Sequence, residues 1–189
     1  MTTLDATDRR AEAVMEAIRT RRVVRDYTPE AVADGDLRKI LEAARWASSG
    51  GNRRIHKLIV VRNPTTIRLI RMMSPGMRPL APALIVICTD AEKAARAQVP
   101  LDTHKTRWVD VGTMAMNMML AAHALGLGTC PITSFSRAGS AVMLELPPTL
   151  LPELILTLGH PAPAIPRRKP TRLTIEDFTY WERYGGTAP

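Results

Sequence analysis

Residues 110–132 read DVGTMAMNMMLAAHALGLGTCPI, and this stretch is the most informative about the fold because it joins an uncharged apolar segment to a strand-like one. Residues 111–125 predict a helix that Gly126 ends. At 1.5 Å per residue its length is about 22 Å, short of the ~30 Å hydrocarbon core of a bilayer. Asn117 and His123 add polar groups within it. The pattern therefore predicts a helix buried in protein and not a membrane span.

This helix is apolar on nearly every side in its second half, where Met114, Met116, Met118 and Met119 are clustered. A helix of that kind must be covered all round. In a chain of 189 residues a second copy can supply part of the cover, so the pattern favours a homodimer. The segment GTCPITS, at residues 128–134, predicts the strand that follows.

The rest of the chain mixes helical and strand patterns without a repeat or a linker, which predicts one domain over residues 1–189. Apolar residues at i, i+3, i+4 and i+7 indicate amphipathic helices, and short β-branched runs indicate strands. The run at 82–89 is apolar on both faces, so we expect it at the centre of the sheet. The predicted helices lie at 10–19, after Asp34 as a cap, after Pro64, at 105–125 and at 175–184 behind a Thr174–Asp177 capping pair, and the strands at 57–62, 82–89, 128–134 and 153–158.

The composition, 46% hydrophobic and 23% charged, excludes a disordered chain. A formal charge of +8 leaves open nucleic acid, an anionic membrane surface or a phosphate-bearing small molecule as partner. Cys88 and Cys130 form no Cys-x-x-Cys motif, so neither a disulfide scaffold nor a zinc site is indicated, and a reducing, cytoplasmic setting is expected. The N-terminus lacks the apolar core of a secretory signal.

Basic residues form two clusters. A guanidinium group can donate two parallel hydrogen bonds to the oxygens of a phosphate, so the two clusters are candidates for one phosphate site. The alternative is a solvated basic face. The loop at residues 48–52, SSGGN, offers close backbone approach and short polar groups to a ligand, although such loops also simply turn the chain. The two clusters are Arg19, Arg21, Arg22 and Arg25, and Arg167, Arg168, Lys169 and Arg172.

The usual catalytic and nucleotide-binding signatures are absent from the sequence. It contains no P-loop, no Gly-x-Gly-x-x-Gly after a strand and no Gly-x-Ser-x-Gly elbow. Its four histidines lack metal-ligand spacing. If the chain is an enzyme, a bound cofactor therefore performs the chemistry while the protein positions it.

Taken in order, five segments resemble the FMN-dependent nitroreductase family. They are AIRTRRVVRDYTPE at 17–30, LRKILEAARWASSGGN at 37–52, the stretch at 110–132, LGHPAPAIPRRKP at 158–170 and WERYG at 181–185. The resemblance implies an α+β fold in which helices flank a central, mostly antiparallel sheet. It also implies an intertwined homodimer with FMN at the interface.

The resemblance further implies which residues contact the cofactor. Basic residues of one subunit would hold the FMN phosphate and ribityl chain, and the loop at 48–52 of the partner subunit would complete the site. A strand would run along the isoalloxazine, with a backbone N–H near Thr133 or Ser134 donating to flavin N5. The implied residues are Arg21, Arg22, Arg25, Arg167 and Lys169 for the phosphate, Ser48, Ser49, Gly50 and Asn52 from the partner subunit, and Pro131, Ile132, Thr133 and Ser134 along the ring.

In the mechanism that the resemblance implies, NAD(P)H gives hydride to flavin N5 and leaves, and a nitroaromatic, quinone or similar flat acceptor takes its place. Basic residues would stabilise the charge of the reduced flavin. One alternative is another flavin reaction in the same fold, such as reductive dehalogenation or oxidation of a specific metabolite. The other is a non-catalytic flavin-binding or basic protein that contacts nucleic acid. The leading interpretation expects neither a nucleic-acid nor a membrane partner.

The sequence departs from the family pattern at residues that the resemblance places near the cofactor. Val23 stands where the family often has serine, which removes one hydroxyl from the phosphate side. Arg54, Ile55 and His56 stand where the family usually has Gln-Pro-Trp, which adds charge at the flavin edge.

The excess positive charge comes from one window of the chain. Residues 43–89 contain eight basic residues and no acidic one, and the other 18 basic residues equal the 18 acidic residues in number. We expect this acid-free surface to flank the flavin entrance and to attract the 2′-phosphate of NADPH. The candidate residues are Arg53, Arg54 and Arg78.

Overall fold

The computed structural model describes residues 6–78, 80–102, 105–163 and 172–188, so the predictions for Arg167 and Lys169 lie outside the described residues. Within these ranges the chain forms six α-helices, four β-strands and a 3₁₀ turn at Gly50–Asn52. The helices are α1 (Ala6–Thr20), α2 (Asp34–Arg45), α3 (Pro64–Met72), α4 (Ala91–Arg96), α5 (Thr106–Ala124) and α6 (Arg137–Met143), and the strands are β1 (His56–Val61), β2 (Ala83–Asp90), β3 (Gly128–Ile132) and β4 (Leu150–Gly159).

The four strands form one antiparallel sheet in the order β1-β2-β4-β3. The α+β fold and the mostly antiparallel sheet are therefore confirmed. The run at 82–89 was expected at the centre, and β2 lies there with seven of its eight residues buried. The register between β2 and β4 shifts between Ile87 and Cys88, next to the buried Glu153 of β4.

Helices cover both faces of the sheet because successive side chains of a strand point to opposite sides. Ala83, Ile85 and Ile87 of β2 pack with α2 and α5 in one apolar core. The alternate residues of β2 pack with α3 and with residues at the end of α6 in a second core. The result is a three-layer arrangement in which α5 lies directly on the sheet.

Helices α1 and α5 both have apolar surface that their own chain leaves exposed. In α1, Val14, Met15 and Ile18 are 42–58% exposed, although their spacing predicts a buried face. In α5, Met116 is 43% exposed and Val109 is 61% exposed. The expected all-round cover of α5 is thus not supplied by the described part of this chain.

The predicted C-terminal helix at 175–184 is wrong, because residues 172–188 form only turns and bends. The expected capping contact does exist, since the backbone N–H of Thr174 donates to Asp177 Oδ2 at 2.7 Å. The helix does not extend from it because Ile175, Phe178 and Trp181 are 46–66% exposed and have no buried face to support it. A short helix without tertiary packing is marginal in water.

The sequence patterns did not predict the two short helices α4 and α6, and they placed the N-cap of α2 at the wrong residue. Asp90 accepts from the N–H of Lys93 at the start of α4, and Ser136 accepts from the N–H of Gly139 at the start of α6. Both are ordinary capping residues, and each precedes a helix too short for a periodic pattern. Asp34 is the first residue of α2, not its cap, and its carboxylate pairs with Arg62.

Candidate functional site

The first basic cluster continues from α1 into an extended segment, residues 21–25, that lies along the free edge of β3. Val24 donates its N–H to the carbonyl of Thr129 at 2.9 Å, and Val23 forms a parallel bridge with the same residue. This approach requires glycine at position 128, where a Cβ would lie 2.6 Å from the Cβ of Val24. We call residues 21–25 the basic segment.

The three arginines of the basic segment have different environments. Arg22 donates through Nη1 to the carbonyls of Arg19 and Arg21, at the end of α1. Arg21 is half-buried, and its Nη1 is shielded from solvent with no hydrogen-bond partner among the described residues. Arg25 is exposed and lies beside Cys130 and Ile132 of β3 in a small cavity that it shares with Arg78. Arg25 and Ile132, two of the residues expected to contact the cofactor, therefore lie together in this cavity.

A tyrosine fixes the far end of the basic segment. Tyr27 donates its hydroxyl to the carbonyl of Val24 at 2.6 Å and contacts the hydroxyl of Thr157 at 2.6 Å. Burial raises the pKa of Tyr27, so the phenol stays neutral. Residues 26 and 28 also exchange backbone hydrogen bonds with residues 160 and 162, just before the second basic cluster.

The four residues expected to lie along the flavin ring are at the end of β3 and just after it, and their exposure increases along the chain. Pro131 is half-buried and Ile132 is buried, whereas Thr133 and Ser134 are exposed. Neither thiol nearby is a nucleophile, because burial raises the pKa of Cys130 and raises the pKa of Cys88 to about 12. The exposed end of β3 therefore offers backbone groups and no reactive side chain.

The loop at residues 48–52, the serine–glycine loop, is held by the first half of α5. The N–H of Gly50 donates to Asp110 Oδ1 at 3.0 Å, and Thr113 donates its hydroxyl to the carbonyl of Ser48 at 3.2 Å. Asn52 has a φ of 55°, in the left-handed region, where asparagine is better tolerated than most residues. Its side-chain oxygen accepts from Arg54 Nε at 2.9 Å.

The basic segment and the serine–glycine loop lie at different ends of α5 in one chain. Thr20, immediately before the basic segment, contacts His123 Nε2 at 2.8 Å. The loop contacts Asp110 and Thr113, near the other end of the helix. At a rise of 1.5 Å per residue, these two residues lie about 15 to 20 Å from His123 along the helix axis. Among the described residues, the two cavities that the loop lines contain no residue of the basic segment, and the cavity beside Arg25 contains no residue of the loop.

The serine–glycine loop forms one wall of a cavity of about 290 Å³ between α2, the start of β1 and α4. Three cations line it, and no Asp or Glu of the described residues does. We call it the cationic cavity. Its cations are Arg45, Arg54 and Lys93, and its apolar walls include Leu41, Leu58 and Met114.

The departures from the family pattern occupy distinct places around the cationic cavity. Ile55 is buried and packs with Ala94 and Val99, so it belongs to the core. His56 lines the cavity, and burial lowers the pKa of its ring, while Asp110, the Arg107 carbonyl and Glu153 oppose that decrease. Arg54 is exposed at a φ of 49°.

The three arginines named as candidates for the 2′-phosphate of NADPH do not lie together. Arg54 lines the cationic cavity, Arg53 lines a neighbouring cavity of about 230 Å³ with Arg107, and Arg78 lies beside Arg25. Lys93 lines the cationic cavity with Arg54 instead, and no sequence pattern indicated it because it lies outside the acid-free window.

A buried carboxylate is the other feature that the sequence did not indicate. Glu153 of β4 is 3% exposed and accepts from the Thr89 hydroxyl at 3.0 Å. Arg137 lies 3.3 Å from it and Arg107 lies 3.9 Å from it. Both guanidinium groups also lie over the ring of Trp108, at 4.9 Å and 4.6 Å from its centroid. The cluster ties the starts of α5 and α6 to the sheet.

Comparison with known proteins gives a consistent set of relatives. The model of the "Nitroreductase family" matches residues 18–77 and 79–160. A "Putative NADH dehydrogenase/NAD(P)H nitroreductase" of Methanothermobacter thermautotrophicus is 32% identical over 157 residues, which cover 79% of this chain and 78% of the relative. An "FMN reductase [NAD(P)H]" of Bacillus subtilis is 30% identical over 186 residues, covering 90% and 74%.

The fold comparison agrees with the sequence comparison. The solved structure of B. megaterium NfrA2 superposes with a TM-score of 0.79 at 26% identity, covering 91% of this chain and 75% of that one. Among the described residues, no helix has the length and apolarity needed to cross a bilayer.

Proposed function

The chain belongs to the nitroreductase family, and from that premise we propose that it is an FMN-dependent NAD(P)H oxidoreductase that reduces nitroaromatics, quinones or similar flat acceptors. The relatives' names support an NAD(P)H-linked flavin enzyme. The observation that carries the proposal for this chain is the basic segment. It is fixed along β3, and the shielded Nη1 of Arg21 has no hydrogen-bond partner within the described ranges.

The residues of the basic segment fit the FMN phosphate. A buried cationic donor without a partner is costly, and a phosphate oxygen would satisfy Arg21 Nη1. Arg25, exposed beside β3, would add a second guanidinium. Arg22 would contribute less directly, because its Nη1 already donates to two carbonyls. Arg167 and Lys169 would complete the set from outside the described residues.

The exposed end of β3 fits the flavin ring. Pro131 and Ile132 would lie along it, and the backbone of Thr133 and Ser134 would donate a hydrogen bond to it. When bound, FMN would accept the hydride, which the neutral thiols and the phenol nearby cannot do. The chain's own task is to position the donor and the acceptor in turn against the same exposed strand end, from which we expect ping-pong kinetics.

A homodimer would join the two halves of the site. The serine–glycine loop and the basic segment are separated in one chain, so the loop of one subunit would meet the basic segment of the other. The exposed apolar residues of α1 and α5 provide surface for such an interface, as do Phe178 and Tyr184 of the C-terminal segment, which are 64% and 88% exposed.

An absorbance spectrum of the purified protein tests the proposal, followed by anaerobic addition of NADH or NADPH and then of a nitroaromatic. We expect flavin absorbance that the nucleotide bleaches and the acceptor restores. Saturating FMN, at about 100 times its dissociation constant, should add about 2.7 kcal/mol to the free energy of unfolding. A colourless protein that FMN does not stabilise would contradict the proposal. Arg25→Ala should weaken FMN binding, whereas Arg68→Ala, at an exposed site on α3, should not.

A further inference from the structure

The cationic cavity has an unbalanced charge that is separate from the arginines proposed to bind the FMN phosphate. Arg45 donates three hydrogen bonds to the carboxylate of Glu42, so its charge is compensated. Arg54 and Lys93 have no carboxylate partner among the described residues. Two cations without a carboxylate partner, in a cavity whose lining contains no acid among the residues that the structure describes, favour an anionic ligand.

Both cations are held in place and keep donors free. Arg54 Nε donates to Asn52 Oδ1 at 2.9 Å, which uses one of the five N–H donors of a guanidinium. Lys93 Nζ donates to the carbonyl of Arg54 at 2.8 Å, which uses one of its three. The carbonyl contact also brings the ammonium close to residue 54. A group fixed in this way loses little conformational freedom when it binds an anion.

The walls of the cavity indicate what accompanies the anion. Leu41, Leu58 and Met114 add apolar surface to the lining. The volume of about 290 Å³ is near the lower end for small-molecule sites, enough for one end of a dinucleotide. Ser48 and Ser49 line the cavity and also belong to the loop assigned to the flavin site.

We propose that the cationic cavity binds the 2′-phosphoadenosine end of NADPH, and that Arg54 and Lys93 select NADPH over NADH. The inference rests on the proposed function and adds the choice of electron donor. A phosphomonoester carries a charge of about −1.5 to −2 at pH 7, and its oxygens accept from both a guanidinium and an ammonium. NADH has a hydroxyl at this position, so the two cations gain nothing from it.

Calorimetric titration of the full-length, flavin-loaded protein with NADP⁺ and with NAD⁺ tests the inference, because these probes differ only in the 2′-phosphate and undergo no turnover. At low ionic strength we expect NADP⁺ to bind at least ~10-fold more tightly. Arg54→Gln and Lys93→Gln, which remove the charge but keep a polar amide, should each lower the preference several-fold. Lys93→Arg should retain it. The matched control Arg68→Ala removes an exposed charge of the same window and should leave the preference unchanged.

Equal affinity for the two probes would overturn the inference, and so would a preference that survives both glutamine variants. Binding of 4-nitrobenzoate that depends on Arg54 and Lys93, with no dependence for NADP⁺, would also overturn it by assigning the cavity to the acceptor. The proposed function fails differently, through a flavin that neither nucleotide bleaches. The titrations do not require turnover and therefore report on the cavity in either case.

Discussion

At the scale of single residues, Glu153 keeps a carboxylate inside the protein, where an unpaired charge is expensive. Its partners are the Thr89 hydroxyl and the guanidinium groups of Arg137 and Arg107. The Arg107 side chain is itself only 17% exposed, so each charge depends on the other. Removing the carboxylate would leave a partly buried cation without compensation.

We therefore expect Glu153→Ala to lower the free energy of unfolding by about 3 kcal/mol. Urea denaturation followed by circular dichroism measures the change. The control is Glu92→Ala, which removes an ion pair with Arg96 in which both side chains are more than 60% exposed. Solvent screens that pair, so the control should cost much less. Equal losses in the two variants would show that burial of Glu153 contributes nothing.

His56 makes stability depend on pH, because burial lowers its pKa in the folded protein below the ordinary value of 6.5. Between these two pKa values the unfolded chain binds more protons than the folded one, so acid favours unfolding. This contribution is complete above pH 6.5 and declines as the pH falls towards the folded pKa.

For His56→Gln we expect a flatter dependence of the free energy of unfolding on pH between 7.5 and 5. The wild-type protein should lose up to about 1.4 kcal/mol per pH unit more than the variant in this window. Urea titrations at several pH values measure both slopes. Identical slopes would mean that the ring is not protected from protonation.

At the scale of elements, the approach of the basic segment to β3 depends on one missing side chain. A Cβ on Gly128 would lie 2.6 Å from the Cβ of Val24. The Cβ is attached directly to the backbone, so Val24 cannot avoid this clash by moving the end of its side chain. Gly128→Ala should push the segment off the strand and break the 2.9 Å bond between Val24 and Thr129. We expect FMN affinity, measured by fluorescence quenching, to fall about tenfold.

Gly35→Ala is the matched control for this change. A Cβ there meets nothing within 4 Å, and the position lies in the first turn of α2, so alanine should stabilise the helix slightly. FMN affinity should be unchanged in the control. If Gly128→Ala also binds FMN normally, the position of the basic segment does not determine the phosphate site.

The exposed face of α1 leads to a prediction about assembly. Ile18 is 48% exposed in the chain, so Ile18→Glu should not disturb the monomer's core. It would place a charge in the proposed subunit interface, and we expect the dimer to dissociate in light-scattering measurements. Val142→Glu, at a 68% exposed site on α6, is the control and should remain dimeric. A dimeric Ile18→Glu protein would remove α1 from the interface.

The helices and strands show which parts of the fold could be predicted from sequence patterns. The strand at 82–89 and the helix at 105–125 were predicted close to their observed bounds, because each pattern reflects burial on known faces. The helix at 175–184 failed because its apolar residues have no partner within the described chain. Arg21 and Arg25 were proposed because they belong to a cluster in the sequence. Lys93 and Glu153 have no such signal, because their neighbours are brought to them only by the fold.

At the scale of the whole molecule, the distance between the basic segment and the serine–glycine loop predicts that each flavin of the proposed enzyme needs two chains. Arg25 lies beside β3, and the serine–glycine loop lies at the other end of α5. Arg25→Glu should abolish FMN binding through the phosphate, and Ser48→Trp should abolish it by blocking the partner's flavin. Ser48 is exposed in the chain, so the tryptophan should not prevent folding.

A mixed dimer of these two variants distinguishes a shared site from a site within one chain. If each site takes Arg25 from one subunit and Ser48 from the other, one site of the mixed dimer carries both substitutions and the second carries neither. Differently tagged chains, co-expressed and purified through both tags, should then bind one FMN per dimer, while each variant alone binds none. If the site lay within one chain, both sites of the mixed dimer would be defective and it would stay colourless. The flavin absorbance per dimer therefore tests the shared site independently of any catalytic activity.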